Sequence, residues 1–170
     1  MRSAYPDEST RAQGMLDFFS AFVDYGFQCG RVMLTENKRG AYVYFPPSAQ
    51  EASSPAAAEL DRRLVETAGP NASTVARLIQ GIDAHHPKTP HYYLFCMAAL
   101  AEFAHGGYGM AFVRHLNATA DAAALPCYAE ATSLRSRSIF HSQGYKDAGE
   151  PIALDGFPPI YPVWRDPGQA

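Results

Sequence analysis

The run Ala104-His105-Gly106-Gly107-Tyr108-Gly109 is the part of this chain best suited to chemistry. Its glycines let backbone approach a ligand closely, and Met110, Phe112, Val113 and Leu116 follow at helical spacing. Amides at the start of such a helix lack partners within it and lie at the positive end of its dipole, so they suit an anion such as a phosphate. A glycine-rich turn of this kind serves phosphate binders and plain tight turns alike. Cys29, Cys96 and Cys127 are odd in number and have no metal-type spacing, which predicts buried free thiols. His85, His86 and His91 lie on a segment bounded by Pro87 and Pro90, with no carboxylate or thiol to complete a ligand set, so no metal is expected.

The elements that must position this turn are legible around it. Met15, Leu16, Phe18, Phe19, Phe22 and Val23 recur at helical spacing after Asp7-Glu8-Ser9-Thr10, predicting a helix that ends near Gly26. Arg31 to Glu36 and Ala41 to Phe45, joined by Asn37-Lys38-Arg39-Gly40, predict a hairpin. Residues 48 to 56 are rich in Ser, Ala and Pro, and helices are expected from Ala57 to Thr67 and from Ser73 to Ile82. His91 to Met97 is a nearly continuous apolar and aromatic run, as in a central strand buried on both faces. After the glycine turn a helix runs to about Ala124, then a strand from Leu125 to Ala131 and a helix from Ser133 to His141 closed by Gly144. Tyr145 to Leu154 and Ile160 to Trp164 predict a final antiparallel pair. The order is that of an α/β (α+β) layer around one sheet, and 170 residues predict one domain, 1–170.

Fourteen basic and seventeen acidic residues give a net charge of -3, with Lys and Arg scattered, which argues against nucleic acid as a partner. The N-terminus lacks a signal-peptide core, and no run of about 18 apolar residues occurs, so the expectation is a soluble cytoplasmic protein with no membrane partner.

His91-Tyr92-Tyr93-Leu94, the glycine turn, Pro126-Cys127-Tyr128-Ala129-Glu130-Ala131, Ser133 to Phe140 and Gln143-Gly144-Tyr145 resemble, in order and spacing, the second half of the GNAT N-acetyltransferases. The look is closest to the puromycin N-acetyltransferase group, which the ending Pro159 to Arg165 also fits. The resemblance implies a mixed, mostly antiparallel central sheet with helices on both faces, splayed between the fourth and fifth family strands. Carried over, the splay lies between Phe95 to Ala99 and Cys127 to Ala131. It implies acetyl-CoA as cosubstrate, with its pyrophosphate on the amides of His105, Gly106, Gly107, Tyr108 and Gly109 and its thioester carbonyl on a strand amide near Met97 to Ala99.

Departures from the family pattern bear on activity. The family turn usually reads Q/RxxGxG with a basic residue before the first of those glycines, whereas here Ala104 holds the Gln/Arg position and Gly106 the basic one. Losing such a charged contact weakens binding by about 1 to 2 kcal/mol, for which His105 is a partial replacement. Ser136 stands where the family has an Asn near the cofactor, and Phe140 where it has a Tyr that protonates the leaving thiolate. Phe140→Tyr is therefore expected to raise turnover. The family's strand and helix before Ser9 to Gly26 have no counterpart in this sequence: either the strand is absent, which leaves the hairpin edge at Arg31 to Glu36 open for a homodimer, or the true start lies upstream.

An amine of pKa about 10 must lose a proton before it attacks, so a base is useful, and Glu130 and His91 are the catalytic candidates. Each also has a structural reading: a strand carboxylate and a partly exposed edge histidine. Arg135 and Arg137 either meet CoA phosphates or are solvated surface, and Tyr92, Tyr93 and Tyr128 either line the acceptor cleft or pack in the core. Two function classes stay open: acetyl transfer from acetyl-CoA to a primary amine of a small molecule, and a GNAT-fold CoA-binding or protein-interaction module without turnover.

Overall fold

A computed structural model describes residues 2, 4–49, 55–104 and 106–169. His105 and most of the Ser-, Ala- and Pro-rich stretch, residues 50–54, lie outside the described residues. The first helix, α1 (Glu8–Gln28), starts where Asp7 accepts a hydrogen bond from the Ser9 amide at 2.9 Å. It runs past Gly26 because a residue without a side chain is what fits there: a Cβ at Gly26 would lie 2.8 Å from Val43 Cγ1. The hairpin is β1 (Arg31–Leu34) and β2 (Gly40–Phe45). Helices α2 (Pro55–Ala68) and α3 (Ala72–Asp83) follow, then β3 (Tyr92–Ala99), α4 (Tyr108–Ala122), β4 (Cys127–Ala131), α5 (Leu134–His141), β5 (Lys146–Asp147) and β6 (Tyr161–Arg165).

The six strands form one sheet in the order β1-β2-β3-β4-β6-β5, parallel only between β3 and β4. The first strand of the final pair, expected from Tyr145 to Leu154, is shorter than expected. After Asp147 the chain passes Gly149 at φ 118 and Pro151, and only a single bridge joins Ile152 to Ile160.

Helices cover both faces. Strand residues Tyr42, Tyr44, Leu94, Cys127, Ala129, Ala131 and Val163 form a core with Phe112, Val113 and Leu116 of α4 and Phe140 of α5. The opposite face carries Val43, Phe45, Tyr93, Phe95 and Cys96 under α1, with α2 packed on α1 and α3 against Ile152 and Ile160. Tyr93, Phe95 and Cys96 share this face while Tyr92, Leu94 and Met97 turn to the other, so strict alternation breaks between Phe95 and Cys96. The ladder records the same event. Tyr44 pairs with Leu94 and Val43 with Cys96, leaving Phe95 as the extra residue of a β-bulge. The three thiols are free, but only Cys127 is buried; Cys29 and Cys96 are half-buried.

Candidate functional site

The bulge lies where β3 leaves β4. Tyr92, Tyr93 and Leu94 pair with Cys127, Tyr128 and Ala129, and the pairing ends there, although β3 continues to Ala99 alongside β2. The splay expected between Phe95 to Ala99 and Cys127 to Ala131 is therefore present. The direction of the freed amides follows from register. The Leu100 amide donates to Arg39 O, on the β2 side, so alternation turns the amides of Met97 and Ala99 toward the gap. These are the two strand residues the sequence singled out.

The glycine turn stands at the open end of the gap. Gly107 has φ 78, a conformation that L side chains rarely adopt, and it caps α4 with no side-chain cap among the described residues. Ala111 is the first residue to bond back, to Gly107 O, so the amides of Tyr108, Gly109 and Met110 have no partner within the helix. The Gly106 amide differs from the expectation: it closes the preceding turn on Phe103 O at 2.9 Å. Asn37 of the β1–β2 turn donates to the Tyr108 hydroxyl at 3.0 Å, and the Met97 side chain lies beside Gly109 and so ties strand to helix start.

Glu130 is the first residue of β4 beyond the last β3–β4 pair. Cys127 and Ala129 turn to the α4 side, so Glu130 and Tyr128 turn to the other. The Glu130 side chain is 6% exposed, and its Oε1 and the Tyr128 hydroxyl are buried without a hydrogen-bond partner among the described residues. His86 Nδ1 stands 3.7 Å from that oxygen, and His86 Nε2 is 3.1 Å from His91 Nε2. His91 Nδ1 is 2.7 Å from Thr89 O. The rings of Tyr93 and Tyr128 meet His86 edge-on at 4.6 and 5.1 Å. Removal from water, and then the Glu130 charge, raise both phenols well above their ordinary value.

His91 is thus a buried core residue, 2% exposed, and not the partly exposed edge histidine read from its place beside Pro90. Burial lowers its pKa and keeps it neutral. The structure brings both sequence candidates, Glu130 and His91, into one cluster, but through a residue considered in sequence only as a metal ligand. His86 precedes Pro87, which disfavours helix at the residue before it, and α3 ends at Asp83. Two histidines five residues apart across two prolines were the available signal.

The α5 residues sit differently. Ser133 and Ser136 form a reciprocal capping box, with Ser136 Oγ accepting from the Ser133 amide at 3.1 Å and donating to Ser133 O at 3.0 Å. Phe140 is 2% exposed and packs in the core edge-on to Tyr145 at 5.1 Å. Arg137 Nε donates to Asp147 at 2.8 Å and its guanidinium lies over Tyr161, so it is tied to β5 and β6. Tyr92 faces α4, on the other side of the sheet from Tyr93 and Tyr128. Burial pushes the Cys96 and Cys127 thiols up to about 11, which leaves both as thiols at neutral pH.

No protein-family model matches the sequence, and no curated protein matches it. Solved structures do match. The histone acetyltransferase HPA2 and related acetyltransferase of Corynebacterium glutamicum is 18% identical over 99% of this chain and 88% of its own, at a TM-score of 0.58. A Bacillus subtilis acetyltransferase in complex with CoA is 11% identical over 85% of this chain and 82% of its own, at 0.51. Chaetomium thermophilum Naa20 in complex with a bisubstrate analogue is 15% identical over 95% and 83%, also at 0.51. With its six-stranded, mostly antiparallel sheet opened between β3 and β4 and its helices on both faces, this chain has the GNAT acetyltransferase fold.

Proposed function

We propose that this protein is an acyl-CoA-dependent N-acyltransferase that moves an acetyl group from acetyl-CoA to a primary amine of a small molecule by direct attack. The observation that carries this reading is the gap between β3 and β4, with the Met97 and Ala99 amides turned into it and the Gly107-capped start of α4 at its open end. These residues fit acetyl-CoA: the Tyr108, Gly109 and Met110 amides suit the pyrophosphate, and the edge of β3 suits the amide-bearing arm as an added strand would. An amide at Met97 or Ala99 polarises the thioester carbonyl as charge develops on its oxygen. Glu130 takes the proton of the acceptor amine from the far face of the sheet, beside Tyr93 and Tyr128. The raised Cys96 and Cys127 thiols favour direct transfer over a route through an acyl-cysteine. Two structural neighbours hold CoA or a bisubstrate analogue, and this supports the choice of cosubstrate. The small-molecule acceptor follows the resemblance to the puromycin N-acetyltransferase group, the cytoplasm is the proposed compartment, and the β1 edge is the proposed site of homodimer pairing.

A second reading, a CoA-binding module without turnover, draws on α5, where Ser136 is closed in its cap and Phe140 is buried. Calorimetric titration with acetyl-CoA and with CoA tests the shared part, and micromolar dissociation constants are expected. Absence of binding at millimolar ligand would refute both readings. Thiol release from acetyl-CoA across a panel of primary amines then separates the enzyme from the module.

A further inference from the structure

We propose that β1 pairs with β1 of a second copy of this chain, antiparallel and about a twofold axis at Met33, an assignment that rests on the β1-edge homodimer named above and fixes its register. The two ends of the sheet are built differently. β5 is two residues long and is followed by Gly149 and Pro151, which blunt it as a pairing edge. β1 has no glycine, proline or lysine in Arg31–Leu34, and its ladder to β2 runs without a bulge. Leu34 at its end is 59% exposed, and Phe27 in the last turn of α1, just before β1, is 71% exposed.

Backbone direction decides which residues a second β1 meets. The Thr35 amide donates to Gly40 O at 2.9 Å, so Thr35, Met33 and Arg31 turn their peptide groups to β2, while those of Val32 and Leu34 point off the edge. Antiparallel strands bond only where outward-pointing residues stand opposite each other. Centring the axis on Leu34 would set Val32 against Glu36, and centring it on Val32 would set Leu34 against Gly30. Centring it on Met33 sets Val32 opposite Leu34 of the second copy, twice over. Side chains then match by face. Val32 packs on the α1 side and Met33 on the α4 side, so Leu34 falls on the α1 side, where Val32 of the second copy covers it. Charge matches as well. The Arg31 guanidinium folds back to donate to Gly30 O at 2.7 Å, and in this register Gly30 stands opposite Glu36 of the second copy. Arg31 and Glu36 are both exposed and have no ion pair among the described residues, so each end of the joint gains an arginine–carboxylate pair.

Sedimentation equilibrium of the full chain from about 1 to about 100 µM is expected to show a dimer, which Leu34→Lys weakens at least about tenfold. The circular dichroism of that variant should match the wild type, because Leu34 is exposed in the single copy. Glu36→Arg is expected to weaken the dimer too, and adding Arg31→Glu to restore it. Oxidative crosslinking reads the register. Two copies of Met33→Cys should join, since the Met33 pair is the close, non-hydrogen-bonded kind, whereas Leu34→Cys and the wild type should not. A monomer across that range overturns the homodimer and the register together, and leaves the edge to a strand of another chain. A dimer that Leu34→Lys leaves intact, or one joined through Leu34→Cys and not through Met33→Cys, overturns this register while the homodimer stands. None of these outcomes bears on acetyl-CoA binding, which its own titration decides.

Discussion

Single side chains decide most of the chemistry available here, and two were turned by packing in ways that change what their substitution does. Phe140 looked like the place to restore a lost proton donor. It is enclosed with Tyr145 in the core, so a hydroxyl added there is removed from water instead of presented to the wedge. Phe140→Tyr is expected to cost about 1–3 kcal/mol in urea unfolding with no gain in turnover. His91 gives a pH dependence with a definite sign. Burial holds its folded pKa below the ordinary 6.5. The unfolded chain therefore takes up a proton that the folded chain resists as pH falls through about 6.5, and stability drops by at most about 1.4 kcal/mol per pH unit. Urea midpoints compared at about pH 7.5 and about pH 5.5 should fall toward acid, and the contrast should shrink in His91→Gln.

Among the elements, the bulged strand β3 is the one on which the wedge depends. Its extra residue at Phe95 re-aims the amides that follow, so that β3 serves β2 on one side and the gap on the other. Removing one gap-facing amide should leave the ladder to β2 intact. Ala99→Pro does this, because proline takes away a donor that β2 does not use. It is expected to weaken acetyl-CoA binding about tenfold by calorimetry, with the melting temperature nearly unchanged. A comparable melting temperature with unchanged affinity would show that the Ala99 amide does not serve the cosubstrate.

For the whole molecule, α4 is tied to its face of the sheet and to the chain after α5 by polar contacts. Arg165 on β6 is 4% exposed and is held by Asp121 of α4 through two bonds of 2.8 and 2.9 Å, while Asp121 also accepts from the Gly168 amide at 2.7 Å. Asp121→Ala leaves a buried guanidinium without its counter-charge and is expected to destabilise the fold by about 3 kcal/mol in chemical denaturation. Asn117 and Tyr145 make a second tie, at 2.9 Å, between α4 and the chain after α5.

The sequence by itself determined the order of the elements, because hydrophobic period, capping residues and glycine or proline breaks are local signals. Asp7, Ser133 and the glycines before α4 act within a few residues of where they stand. Its resemblance to the GNAT family also singled out Glu130, Met97, Ala99 and the glycine turn. Only the tertiary structure decided what those residues face. The bulge reverses side-chain parity in mid-strand, so Tyr92 and Tyr93 part company and Phe95 and Cys96 share a face, which no period of two foretells. The meeting of His86 with Glu130 joins a loop to a strand more than forty residues later, and depends on α3, Pro87 and the register of β3 on β4 together. Contacts of that range arise from packing, which sums over the whole chain and leaves no mark in any short window of sequence.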